Sequence, residues 1–70
     1  MSTTTYAVTK IVGTSEKSIE DAINGALKTA SKTLRGMDWF EVVSTRGYIN
    51  ESQVKYYQVT IELGFRYEES

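Results

Sequence analysis

The sequence predicts an α+β domain in the order β-α-β-β, with a three-stranded antiparallel sheet of strand order 1-3-2 packed on one amphipathic helix. Three observations lead there. Apolar residues recur in steps of three and four at Ile19, Ala22, Ile23, Ala26, Leu27, Ala30 and Leu34, the spacing of a one-faced helix. Residues 54–67 alternate, with Tyr57, Val59, Ile61, Leu63, Phe65 and Tyr67 on one face and Tyr56, Gln58, Thr60, Glu62, Gly64 and Arg66 on the other. A long β-rich run, Asp38–Ile49, precedes that segment and is joined to it by the polar turn Asn50-Glu51-Ser52-Gln53.

The first element is a strand. Thr5–Val12 is rich in β-branched residues and Tyr, which suit a pleated surface. Met1–Thr4 reads as a polar tail, and Gly13-Thr14-Ser15 as the punctuation that ends the strand. The helix comes next. Ser18-Ile19-Glu20-Asp21 fits a capping box with Asp in the last place, and Ser15 competes as the N-cap. Glu16, Glu20 and Asp21 suit the positive end of the helix dipole, and Gly36 suits the residue just past the helix end.

The strands after the helix pair as a hairpin. The simplest sheet sets the last strand between the other two, with the helix as a right-handed crossover. If the four-residue turn sets the register, Ile49 lies opposite Val54 and Trp39 opposite Gly64. Pleat alternation sends Trp39 and Phe40 to opposite sides. Phe40 and Val42 then share the helix face with Val59, Ile61, Leu63 and Phe65. Trp39, Glu41 and Val43 fall on a face that no second helix in this chain covers.

Composition bounds the rest. Seventy residues form a single domain spanning 1–70, and the chain holds no Cys, His or Pro. Domains this small are marginal alone and rely on disulfides, metals or oligomerisation. Cysteine is absent and no metal-ligand spacing appears, so a homo-oligomer is expected. The net charge of −1, from eight basic and nine acidic residues, argues against nucleic-acid or membrane-surface binding. No signal peptide or membrane span is visible, and a cytoplasmic location is the default.

Enzymatic chemistry finds little support. Without His or Cys, the Ser and Thr residues lack the usual activating base. Glu41 and Glu62 are candidate neighbours across the hairpin, but two glutamates on a polar sheet face are more often solvated than catalytic. Three features remain. Trp39, the only Trp, stands on the uncovered face and needs either a subunit or a ligand against it. Gln58 shares that face and offers donors and an acceptor to the edge of a heterocycle, or is simply solvated. Six residues separate Gln58 from Gly64, roughly 20 Å of strand, so a site using both Trp39 and Gln58 has to be built between subunits. The third feature is basic. Arg46 and Arg66 stand near the sheet rim, where a guanidinium fork suits a phosphate. Lys28, Lys32 and Arg35 form an i, i+4, i+7 stripe that reads first as a solvated face whose cations complement the helix C-terminus, and only second as a ligand site. Arg46 does not share the pleat parity of Trp39. Bringing the two together requires a bulge near Gly47 or a neighbouring chain.

These residues resemble the dodecin family of flavin-binding proteins across nearly the whole chain. The match runs through Ile11-Val12-Gly13-Thr14-Ser15, the helix, Asp38-Trp39-Phe40-Glu41-Val42, Arg46-Gly47, Tyr57-Gln58-Val59 and Gly64-Phe65-Arg66. The resemblance implies a β-α-β-β protomer assembled into a hollow homododecamer. It also implies non-enzymatic storage and sequestration of paired flavins, each isoalloxazine stacked against the indole matching Trp39 and met at its edge by the amide matching Gln58. Similarity to the bacterial branch implies FMN, with riboflavin as the other flavin and with phosphate contacts at Arg46 and Arg66. Some bacterial members hold coenzyme A, which would assign Lys28 and Lys32 to it. The alternative is a structural or regulatory oligomerisation module in which Trp39 fills a subunit interface.

Overall fold

The computed structural model describes residues 3–67; the first two residues of the expected N-terminal tail, and the last three of the chain, lie outside that range. The elements are β1 (Tyr6–Ser15), α1 (Ile19–Ala30), β2 (Met37–Asn50) and β3 (Gln53–Arg66). They form a three-stranded sheet in the order β1-β3-β2. β3 is antiparallel to both neighbours. Element order, strand order and strand direction all follow the expectation from the sequence. Among the described residues, no helix is long and apolar enough to cross a membrane.

β1 does not stop at Gly13. It continues to Ser15, and Gly13 pairs with Val59 inside the sheet. The glycine is there for the helix rather than for a turn. A Cβ on residue 13 would collide with the Ala22 carbonyl oxygen and stand 2.9 Å from the Ala26 Cβ. Small residues on both sides let α1 lie close against β1. Buried Ala22, Val59 and Ile61, with Ile11, Ile23, Ala26 and Leu27 around them, form the core beneath that contact.

The helix N-terminus uses both candidate serines. Ser18 is the N-cap and its Oγ accepts from the Asp21 backbone N–H at 3.0 Å. The reciprocal half of the box is altered: Asp21 Oδ2 accepts from the Ser15 hydroxyl at 2.7 Å, and Ser15 Oγ in turn accepts from the Lys17 N–H at 2.9 Å. The shorter Asp side chain is thus tied to the end of β1 rather than to its own cap residue.

The helix C-terminus differs from expectation. α1 ends at Ala30 with Ser31 as its C-cap, although the apolar spacing runs on to Leu34. Ser31 Oγ donates to the Lys28 carbonyl at 2.7 Å, and the N–H groups of Thr33 and Leu34 both return to the Ala30 carbonyl. A side-chain cap of this kind competes with continuation of the helix. Gly36 is therefore not the helix stop. Its φ of +73° starts β2 instead, and its carbonyl accepts from the Arg66 N–H at 2.9 Å.

The hairpin closes more tightly than a four-residue loop. Asn50 pairs with Gln53 across Glu51 and Ser52, whose φ values are +53° and +65°. Two left-handed residues in a two-residue turn match the twist of the flanking strands. The pairing Ile49↔Val54 holds as expected.

The hairpin outruns its supports. β1 covers β3 only as far as Ser15↔Tyr57, so the hairpin beyond that pair is a two-stranded arm. The molecule measures 56 × 21 × 13 Å, and its radius of gyration is 14.7 Å, against about 11 Å for a compact chain of this length. α1 packs on β1 and β3. Phe40 and Val42 do point to the helix side, paired with Leu63 and Ile61, yet they stay 43% and 44% exposed because the helix does not reach over β2.

Candidate functional site

The face of the sheet away from α1 is open, and two bulges in β2 decide which of its residues meet there. Going along the hairpin, Met37 pairs with Phe65 and Trp39 with Gly64, which leaves Asp38 as an extra residue. Further on, Val42 pairs with Ile61 but Ser44 pairs with Thr60, which leaves Val43 as the extra residue. Each bulge reverses the alternation of β2 relative to the regular β3. Trp39 and Glu41 face the open side before the second bulge, and Ser44, Arg46 and Tyr48 face it afterwards. Opposite them on the same face stand Gly64, Glu62, Thr60, Gln58 and Tyr56.

Trp39 lies against Gly64. The indole occupies the volume that a side chain at residue 64 would take, since a Cβ there would collide with Cε2 and Cζ2 of the ring. Trp39 remains 42% exposed. Bulged Asp38 accepts a hydrogen bond from the Tyr6 hydroxyl at 2.9 Å. That bond ties β1 to β2 across the central strand beside the indole. Arg66 completes this end of the face. Its backbone is held between the Gly36 carbonyl and the Tyr6 pairing, and its side chain is exposed.

Gln58 and Arg46 are brought together at a second place. They are direct cross-strand partners, and Thr14 flanks Gln58 from β1. The parity conflict between Arg46 and Trp39 is resolved by the bulge at Val43, four residues before the expected position near Gly47. A single unpaired residue carries no compositional signal, so only the register could locate it. Tyr48 and Tyr56 stack over the next pair outward, a contact the sequence analysis did not single out. Strict alternation placed Tyr48 on the opposite face, which hid the pair.

The two places are far apart in one chain. Six residues of β3 separate Gly64 from Gln58, roughly 20 Å. Glu41, Glu62 and Lys10 lie between them: Glu62 faces Glu41 on one side and Lys10 on the other. Lys28 and Lys32 are not drawn into either cluster. Lys28 sits in the last turn of α1, on the other side of the sheet, and Lys32 lies beyond the C-cap, so the helical stripe expected through Lys32 and Arg35 ends with the helix. Among the described residues, no group of three or more His, Cys, Asp or Glu is placed to hold a metal ion.

Comparison with known proteins gives one consistent result. The family model described as Dodecin matches residues 5–68. A curated dodecin from Thermus thermophilus is 55% identical over 65 residues, covering 93% of this chain and 94% of its own. The structure of dodecin from Streptomyces coelicolor matches with a TM-score of 0.93 at 51% identity and covers 100% of both chains. Dodecin from Streptomyces davaonensis matches with a TM-score of 0.92 at 48% identity, covering 97% of this chain and 100% of its own. Sequence and fold agree, and the chain belongs to the dodecin family.

Proposed function

We propose that the protein binds flavin, with FMN preferred over riboflavin, at sites built between copies of itself in a closed twelve-subunit shell, and that it stores the flavin without turning it over. The observation that carries this reading is the half-exposed Trp39 indole seated over Gly64 on a face this chain leaves uncovered. A flat aromatic ligand fits such a place, because the missing side chain at residue 64 lets the indole settle onto the sheet and present its remaining surface outward. Bound flavin supplies a planar, electron-accepting ring whose excited state an adjacent indole quenches.

The chain's own residues divide the work. Trp39 stacks on the ring. Gln58 offers its amide to the ring's hydrogen-bonding edge. Arg46 and Arg66 hold the phosphate with their planar forks. Since Trp39 and Gln58 of one chain stand roughly 20 Å apart along the strand, two chains complete each site. With the flavins bound in pairs, each ring lies between an indole and its twin flavin. A ring covered on both faces leaves no approach for a substrate, so the reading is of a binding protein and not an enzyme. Coenzyme A rests on Lys28 and Lys32 alone, and no part of this reading depends on it.

The test combines size with spectrum. Light scattering on the purified protein is expected to give a large homo-oligomer, and titration with FMN is expected to quench flavin fluorescence at one flavin per chain or fewer. A stable folded monomer, or an oligomer that leaves FMN fluorescence unchanged, would overturn the reading. The second of those outcomes favours a purely structural assembly module, for which the half-exposed Phe40 and Val42 on the helix side are the supporting observation.

A further inference from the structure

Tyr48 and Tyr56 are direct partners across the hairpin, and their rings stack with centroids 4.8 Å apart and planes inclined by 29°. The pair stands at a structural boundary. β1 ends at Ser15↔Tyr57, so this layer is the first on the open face without a third strand behind it. On the side toward the turn, the register shifts at once between Tyr48 and Ile49, and Ile49 is 76% exposed. On the other side, the next pair on the same face is Arg46↔Gln58. The stacked rings therefore separate an irregular, unsupported arm from the two residues assigned to phosphate and ring edge.

Two-stranded hairpins hold their shape poorly in water unless their side chains pack, and aromatic cross-strand pairs are among the stronger stabilisers of such pairing. An Arg side chain is long and loses several rotatable bonds when its fork engages an anion. The backbone that carries it must then be fixed by something else. Along β2 the neighbours of Arg46 on its own face are Ser44, beside the bulge, and Tyr48. Only the second is bulky.

We propose that the Tyr48–Tyr56 stack is a positioning element for the Arg46–Gln58 half of the site, fixing the strand register there and so setting the preference for the phosphorylated flavin. The inference deepens the flavin reading and rests on it. The tyrosines act through their rings and the backbone, not through contact between their hydroxyls and the ligand.

Four variants test this in the assembled protein: Tyr48→Ala, Tyr56→Ala, Tyr48→Phe and Tyr56→Phe. Each alanine variant is expected to weaken FMN by roughly twofold to fivefold, within the range a lost cross-strand aromatic pair allows, and to weaken riboflavin less. The two phenylalanine variants keep the stack and should bind both flavins as the parent does. Amide exchange in flavin-free protein gives the independent readout: the amides of Arg46 and Gln58 should exchange faster in the alanine variants and at the parent rate in the phenylalanine variants. Phenylalanine variants that lose as much FMN affinity as the alanines would overturn the proposal in favour of direct hydroxyl contact. Equal losses for both flavins, unchanged affinities or unchanged exchange would overturn it as well. A parent protein that binds no FMN sinks the flavin reading itself, while the exchange rates still report whether the stack orders Arg46 and Gln58.

Discussion

The indole of Trp39 fills the space above Gly64: a side chain there would collide with Cε2, Cζ2 and Nε1 of the ring. The two residues are also direct partners across the hairpin. The glycine serves the tryptophan, because any Cβ at residue 64 would lift the indole off the sheet.

Gly64→Ala should therefore displace the indole and weaken FMN binding by at least about fivefold, since aromatic stacking on a planar ring is worth about 1–3 kcal/mol. Trp39→Ala should lose at least as much. The double variant should be no worse than Trp39→Ala alone, because the methyl at 64 acts only through the indole. Fluorescence titration with light scattering as the assembly control measures all three. Additive losses would mean that Gly64 contributes independently of Trp39. The Gln58→Ala change should cost less, at about 0.5–1.5 kcal/mol for a neutral hydrogen bond.

The arginines should separate FMN from riboflavin. Both flavins offer Trp39 the same ring and Gln58 the same edge, and only the phosphate differs. Hydrogen bonds to a charged group contribute about 1.5–3 kcal/mol, less where salt screens them. The variant Arg46→Ala/Arg66→Ala should bind FMN at least about tenfold more weakly and riboflavin nearly as before. Added salt should weaken FMN binding in the parent and have little effect in the variant. Equal responses of the two flavins would leave the phosphate assignment without support.

Gly13→Ala should destabilise the fold. The new methyl meets the Ala22 carbonyl and the Ala26 Cβ, neither of which is the end of a flexible chain, so helix and strand have to separate. Overpacking of this kind costs about 1–3 kcal/mol, which should lower the thermal midpoint by at least about 4 °C. Scanning calorimetry at fixed protein concentration reads it. An unchanged midpoint would show that α1 shifts freely on β1.

Ser52→Gly should stabilise the hairpin. Ser52 holds a φ of +65° in the exposed turn, where a side chain strains the backbone by about 1–2 kcal/mol and glycine does not. Glycine's larger unfolded-state entropy takes back about 0.5–1 kcal/mol, so a net gain of a few tenths to about 1 kcal/mol is expected. Denaturant midpoints for the two proteins decide it, and a loss would mean that the Ser52 side chain has a role of its own.

Much of the fold was legible because its signals are periodic. The spacing from Ile19 to Ala30 specified α1, and the alternation from Tyr57 to Phe65 specified the buried side of β3. The pairings Ile49↔Val54 and Trp39↔Gly64 match the register counted from the polar turn. The pairs from Tyr48↔Tyr56 to Ser44↔Thr60 lie one residue off it, because Lys55 is extra in β3 and Val43 is extra in β2. Trp39, Gln58, Arg46 and Arg66 were identified as a group by their side-chain chemistry and by resemblance to a family.

Other features had no signature in the chain. Leu34 continues the helical spacing, yet the helix ends at Ala30 with Ser31 as its C-cap. Gly13 reads as a strand end, but in the fold it is the point where α1 and β1 come closest. The exposure of Phe40 and Val42 depends on how far a twelve-residue helix reaches across three strands.

By itself, then, the sequence determined which segments are helix and strand, their order, the pairing beside the turn and the open-face residues that β3 contributes. Only the tertiary structure decided that Arg46 faces the same way as Trp39 and stands beside Gln58. The reason is physical: side-chain direction in a strand has a period of two, so one unpaired residue at Val43 reverses everything after it. Such a bulge is chosen by the pairing of β2 with β3 and by nothing local to Val43.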